Sequence, residues 1–336
     1  MNIYNELGYI DMNKIMELPY DFIFVVAGRG TGKTYSALNH AIEKKVPFIL
    51  LRTTDKEVQL CANEAGNPFK TLNRDKGYNI NIRKINDFLY GIYEDKNSSY
   101  SGLVLSLTCF SKTRGLDFSD VQTIIYDEFI PEKIVKRING IGESLLNAYE
   151  TVNRNRELQG RTPVKLVCLA NALNVNNEII ITFGLASMLQ RMKKKKIEVY
   201  EDKKRSILLI YPMNSPISQQ KKDTALYRIN QRFNDMSLGN EFRGYYEDNI
   251  QSKDLKNYYP FVRYDDMFFY RSKTDMTIYV TKTIKRGYEI EAFDNTDFER
   301  KQFIKKYAGL VQKYYKNRLV FENAELELQF INIFTL

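Results

Sequence analysis

At 336 residues with 43% hydrophobic side chains, the chain is long enough for one large or two ordinary domains and a sizeable buried core. Its 50 Lys and Arg against 41 Asp and Glu give a formal charge of +9, which suits a polyanionic partner. A single histidine, His40, and three cysteines without C-x-x-C spacing argue against a His-rich zinc site, a histidine-based nuclease and a Ser-His-Asp hydrolase.

The first element in chain order is the apolar run Phe22-Ile23-Phe24-Val25-Val26, a predicted buried strand. It runs into Ala27-Gly28-Arg29-Gly30-Thr31-Gly32-Lys33-Thr34. A helix is expected over about 32–45, then a second strand, Val46-Pro47-Phe48-Ile49-Leu50-Leu51. Strand, helix and strand form a β-α-β unit, the building block of a parallel sheet. Residues 103–109, 123–128 and 164–169 read as further buried strands, with helical material over roughly 139–157. Cys109 and Cys168 fall inside these runs and read as core; Cys61 carries no signal. His40 reads as a packed or surface residue of the helix after the loop.

After about residue 200 the pattern changes. Pro212, Pro216 and a polar stretch over 215–223 predict a linker, so the expected division is a first domain over 1–198, a linker over 199–228 and a smaller α+β domain over 229–336. In that last part, residues 267–270, 277–283 and 288–293 read as antiparallel strands, the latter two around Lys285-Arg286-Gly287. A helix is expected from Asp297 with Ile304, Tyr307, Ala308, Val311 and Tyr315 on one face, and 325–330 alternate as a strand does. The run Lys193–Lys196 is a solvated helix end or a nucleic-acid contact. No apolar run nears the ~18 residues of a membrane span, and no signal-peptide pattern opens the chain, which predicts a cytoplasmic protein.

The chemistry starts at the glycine loop. Between a buried strand and a helix, Gly-Lys-Thr is the signature of a phosphate-binding loop. Its glycines allow consecutive N–H groups to turn inward onto the β- and γ-phosphates at a helix N-terminus. Lys33 would neutralise phosphate charge and Thr34 would place its hydroxyl on Mg²⁺. Ala27 stands where the signature has its first glycine, and its small side chain should leave the turn intact. Asp127-Glu128, at the end of the strand over 123–128, is the second motif. Asp127 can hold Mg²⁺ opposite Thr34, and Glu128 can polarise an attacking water. Together the two motifs predict an ATPase.

Phosphoryl transfer also needs positive charge on the developing γ-phosphate, often from a neighbouring subunit. Arg154, after a helix in Asn153-Arg154-Asn155-Arg156, and Arg114 are the candidates. Asn171 ends a strand and could hydrogen-bond the γ-phosphate or its water. Arg29, inside the loop, either swings onto the γ-phosphate in cis, pairs with Glu128 when the site is empty, or faces solvent. The expected fold is therefore α/β: a parallel sheet flanked by helices of the P-loop NTPase (ASCE, RecA-like) class, followed by a smaller α+β domain. A helicase, a phage secretion ATPase, a DNA-cleaving large-terminase-like enzyme and a non-motor kinase or nucleotide switch are the competing readings.

The order Gly-Arg-Gly-Thr-Gly-Lys-Thr, Tyr-Asp-Glu-Phe, Thr-Val-Asn-Arg-Asn-Arg-Glu and Cys-Leu-Ala-Asn-Ala resembles the DNA-packaging ATPases of phi-29-like tailed phages over about residues 20–175. That resemblance implies a homo-oligomeric ring, a pentamer, that pumps double-stranded DNA into a preformed capsid from the host cytoplasm while docked on the procapsid. It implies Mg-ATP on Lys33 and Thr34, the metal on Asp127, water activation by Glu128, Arg154 as a trans finger with Arg114 as a second trans cation, and Asn171 as sensor. It also implies a C-terminal nuclease-like (RNase H-like) fold without activity, docked on portal and structural RNA. Asp265, Asp266, Asp275 and Asp294 are the carboxylates a live nuclease would have to bring together.

Overall fold

The computed structural model describes residues 1–95, 99–113, 115–130, 138, 140–171, 177–213, 215–222, 224–225 and 249–334. The chain divides into two units: Met1–Leu173 with Leu189–Phe242, and Asn174–Met188 with Arg243–Leu336.

The first unit is built on a nine-stranded sheet. Its strands are β1 (Phe22–Val26), β2 (Phe48–Arg52), β3 (Ile80–Lys84), β4 (Tyr90–Glu94), β5 (Gly102–Ser106), β6 (Thr123–Asp127), β7 (Lys165–Ala170), β8 (Val199–Asp202) and β9 (Ile207–Ile210). They lie in the order β3-β4-β5-β2-β6-β7-β1-β9-β8. From β5 to β9 every pairing is parallel, whereas β3, β4 and β8 run antiparallel at the edges. Strands covered on both faces become continuous apolar runs, and β6 and β9 are wholly buried. Helix α1 (Met12–Met16) packs on α2 (Lys33–Glu43), and α3 (Asp55–Cys61) on β2 and β5. α4 (Lys70–Lys76) packs on α2, and α5 (Ile141–Asn153) joins β6 to β7. His40 is buried on α2 with Nδ1 against Asn13 Oδ1. All three cysteines are free, with Cys61 and Cys168 buried and Cys109 half-buried.

Residues expected to open a linker at 199 instead form β8 and β9. The physical reason is burial: Ile207, Leu208, Leu209 and Ile210 fill the edge beside β1. Helix α8 (Pro216–Lys221) follows, with Pro at its first turn and the Ser215 hydroxyl capping the Ser218 N–H. The first domain is also discontinuous where an unbroken 1–198 was expected. Between β7 and α7 (Ala186–Lys195), α6 (Glu178–Thr182) is capped by Asn177 and groups with the second unit.

The second unit holds a five-stranded sheet, β13-β10-β11-β12-β14. β10 (Tyr258–Tyr264), β11 (Met267–Ser272) and β12 (Ile278–Thr281) form an antiparallel meander; β13 (Glu291–Phe293) is parallel to β10 and β14 (Leu319–Phe321) parallel to β12. Helices α9 (Asp297–Lys306), α10 (Gly309–Tyr315) and α11 (Ala324–Phe334) complete it. Aromatic packing dominates the core: the Phe303 ring lies 4.8 Å from Tyr264, 5.7 Å from Phe269 and 5.5 Å from Phe293.

Three sequence expectations change here. Residues 325–330 are helical, not extended, because Leu326, Phe330 and Ile333 lie one turn apart and are buried together. Glu327, which made the pattern look alternating, is buried and accepts the Tyr314 hydroxyl at 2.9 Å. The expected long helix breaks between Lys306 and Gly309, so the buried face is Phe303, Leu310 and Tyr314, and Tyr315 is exposed. Finally, the strand expected over 288–293 is only Glu291–Phe293 and joins β10 in parallel instead of closing a hairpin.

Candidate nucleotide site

The site lies at the C-terminal ends of β1, β2, β6 and β7. Ala27 continues β1 by donating its N–H to Ala170 O at 3.0 Å, so the residue in place of the usual first glycine is accommodated as buried strand. Beyond it the backbone turns sharply: Gly30 and Gly32 have φ of 67° and 85°, a region that costs residues with a Cβ. Gly32 is the N-cap of α2, so Lys33 and Thr34 open that helix.

Lys33 is buried, and its Nζ donates to Ala27 O (3.0 Å), Gly28 O (2.9 Å) and Asn171 Oδ1 (3.1 Å). Burial pulls its amine down to about 8; Asp127 and Glu128 oppose that shift, and Arg29 and Lys221 add to it. A buried ammonium whose hydrogen bonds go to neutral oxygens is suited to an anionic ligand. Thr34 Oγ1 donates to Asp127 Oδ1 at 2.7 Å, which brings two hard oxygen donors to one point, as a Mg²⁺ ligand set requires. These residues therefore fit a magnesium-bound phosphate chain.

Asp127, 4% exposed, ends β6, and β7 stands between β6 and β1. Glu128 follows with φ 58°, a strained conformation that turns its carboxylate away from the strand direction. Arg52, absent from the sequence-predicted set, is central here. Its guanidinium NH1 lies 3.2 Å from Asp127 Oδ2 and 3.1 Å from Glu128 Oε2. Its signal was a charge ending the apolar run Phe-Ile-Leu-Leu-Arg; the pairing Leu51↔Tyr126 then sets it beside Asp127. Arg52 thus places a cation on Glu128; Arg29, the cation expected there from the sequence, is exposed on the loop.

The structure brings Lys33, Thr34, Asp127, Glu128 and Asn171 together and sets Arg154 elsewhere. Arg154 follows α5 with φ 48°, and its guanidinium donates to Thr151 O and Leu116 O, both at 3.3 Å. Leu116 precedes β6, and Asn153 Oδ1 takes the N–H of Val164, which precedes β7. Arg154 therefore sits at the N-terminal end of the strands, opposite the loop, and does not serve its own chain's site. Arg114 lies outside the described residues. In the second unit Asp266 pairs with Lys282, Asp294 with Arg263, and Asp275 accepts from Thr277. Among the described residues no group of three or more His, Cys, Asp and Glu could hold a metal ion. No helix among them is long and apolar enough to cross a membrane.

Fold and site together define an α/β protein with a mainly parallel sheet whose glycine loop and strand-end carboxylates share one edge. Within that class, residues 3–319 match the family of the Podovirus DNA encapsidation protein (Gp16), and the chain belongs to it. The DNA packaging proteins of Bacillus phages PZA and phi29 are each 28% identical over 236 residues, which is 68% of this chain and 64% of theirs. The match thus spans less than two thirds of these relatives' length. Among solved structures, the Phi-28 gp11 DNA packaging motor superposes with a TM-score of 0.64 at 17% identity, covering 98% of this chain and 99% of that one. The bacteriophage Phi-29 viral genome packaging motor assembly gives 0.63 at 18% identity, covering 97% and 98%. Both share the fold.

Proposed function

We propose that this protein is the ATP-hydrolysing subunit of a phage motor that packages double-stranded DNA. The observation that carries it is the Thr34–Asp127 hydrogen bond beside the buried Lys33, on a chain of the DNA encapsidation family. In this reading the first unit is a P-loop NTPase of the ASCE class, supported by β7 standing between the loop strand β1 and the carboxylate strand β6. Thr34 and Asp127 hold Mg²⁺, which when bound neutralises phosphate charge. Lys33 leaves the Ala27 and Gly28 carbonyls for phosphate oxygens, and Asn171, its hydrogen-bond partner, registers the change. Glu128 takes the proton of the attacking water, and it can do so only once its carboxylate is free of Arg52. The ion pair to Arg52 therefore holds the base back until the site is filled.

Arg154, exposed at the far end of the sheet, is offered to the site of an adjoining copy, which makes hydrolysis the property of a homo-oligomeric ring; Arg114 is a second trans cation in the same reading. A pentamer docked on the capsid portal and its structural RNA, in the host cytoplasm, is the assembly the family suggests. The second unit would be a nuclease-like fold that serves docking. The fold shared with the Phi-28 and Phi-29 motors supports this reading. The test is phosphate release by the assembled chain with and without duplex DNA. DNA-stimulated hydrolysis is expected, and a chain that stays monomeric on DNA without turnover would overturn it.

A further inference from the structure

Two segments outside the glycine motif grip the phosphate loop from behind. The Ile10 N–H donates to Thr31 O at 2.9 Å, and the Lys221 ammonium donates to Gly30 O at 2.9 Å. Lys221 is the last residue of α8, and α8 is seated by its other end. The Ile217 N–H reaches Gly8 O at 3.4 Å, and a Cβ at Gly8 (φ 81°) would meet the Pro216 side chain at 2.7 Å. At the other contact, a Cβ on Gly30 would stand 2.2 Å from the Lys221 Nζ, so a side chain there would displace the ammonium. All of these residues belong to the first unit.

The geometry of the peptide gives these contacts a purpose. In a trans peptide the C=O and the following N–H point in opposite directions, and the described residues contain no cis bond. Holding the Gly30 and Thr31 carbonyls outward therefore aims the Thr31 and Gly32 N–H groups at the opposite side, where a phosphate chain would lie. A cation on the carbonyl also polarises the peptide and strengthens its N–H as a donor. Lys221 and Arg29 both bear on Lys33, so Lys221 stands within electrostatic reach of the site as well as in contact with the loop.

We propose that Lys221 is a positioning residue of the phosphate loop: by holding the Gly30 carbonyl outward it aims the Thr31 N–H at the phosphates, and it links nucleotide binding to the seating of α8. The proposal rests on the nucleotide reading above. Linkage is reciprocal, so whatever α8 contributes to nucleotide affinity, nucleotide returns to α8.

The test uses the full chain and two fluorescent probes, mant-ATP and mant-ADP. Lys221→Met keeps the aliphatic stem and removes the ammonium; its affinity for both nucleotides should fall by the same factor, about five- to tenfold for one half-exposed charged hydrogen bond. Lys221→Arg should recover most of that loss. In the wild type, nucleotide should slow amide exchange over 217–221, and Lys221→Met should abolish the slowing. If the wild type binds neither probe, the nucleotide reading falls and this proposal with it. If the wild type binds both while Lys221→Met matches it within about twofold, only the proposal is overturned. Should Lys221→Met fail to fold, Lys221→Gln and the exchange measurement on the wild type decide in the same way.

Discussion

At the C-terminal end of the parallel strands, Arg52 spans two carboxylates, Asp127 and Glu128. At the N-terminal end, Arg154, Arg156 and Arg161 make their hydrogen bonds to the carbonyl oxygens of Thr151, Leu116, Phe118 and Ser119. The difference is one of charge. A guanidinium on carboxylates is neutralised where it stands and acts within its own chain, whereas one held by carbonyls is fixed in direction by neutral groups. The same residue type thus marks an internal restraint at one end of the sheet and, at the exposed Arg154, the outward offer proposed above at the other.

The sharpest way to break this contrast is Arg154→Ala. A trans-acting arginine is worth roughly 10³-fold or more in turnover, so the assembled variant should hydrolyse ATP at least about 10³-fold more slowly. Subunits carrying Arg154→Ala should regain activity when mixed with Glu128→Gln subunits, since some mixed interfaces then hold one intact glutamate and one intact arginine. Wild-type phosphate release by pure Arg154→Ala rings would end the outward-offer reading. Next in size, Glu128→Gln should lower turnover by about 10²-fold or more while mant-ATP still binds; lost binding would mean the carboxylate shapes the site instead of acting on water.

The restraint at the other end is tested by Arg52→Ala. Removing one partner leaves the buried Asp127 carboxylate uncompensated, at a cost of about 3 kcal/mol, read as a lower denaturation midpoint. Arg154→Ala should leave that midpoint nearly unchanged, and equal losses at both ends would dissolve the comparison. The smallest effect is the pH response of Lys33. Its amine sits at about 8 without ligand, and a bound phosphate chain, which favours the charged form, raises it. Affinity is then full below about pH 8 and falls by up to about tenfold per unit as pH rises above it, because binding must take up a proton. Titrating mant-ATP between those limits checks this, and a flat profile would show that Lys33 does not meet the phosphates.

The family expected from the four motifs is the family the chain matches, and the reason is local. Gly30, Gly32, Lys33 and Thr34 do their work within one turn of chain, and Asp127-Glu128 is visible wherever an apolar strand ends in two carboxylates. The parallel core was legible for a similar reason, since strands buried on both faces read as unbroken apolar runs. Arg52 was not legible as a partner: its role depends on β2 lying beside β6, a fact about sheet order and not about sequence distance. The antiparallel edge strands β3 and β4 are short and partly polar, and give no strand pattern strong enough to read. In the second unit, Glu327 misled because its buried place depends on Tyr314, a residue of another helix. Single residues whose meaning is set by a distant partner are where pattern reading stops.

Helix α6 has one more consequence, which concerns how the protein can be cut. Strand β7, followed by Asn171, the hydrogen-bond partner of Lys33, leads into a segment that groups with the second unit before the chain returns at Leu189. There α6 buries Ile179 and Ile180 and packs on α11, at the far end of the sequence. The polypeptide therefore passes between the units three times, and no single cleavage separates them. A fragment ending at 242 keeps α6 without the helix that covers it, and one beginning at 243 loses α6 altogether. Each would expose apolar surface that the whole chain hides, so nicked protein should stay together as one particle under native conditions, while either fragment alone should aggregate.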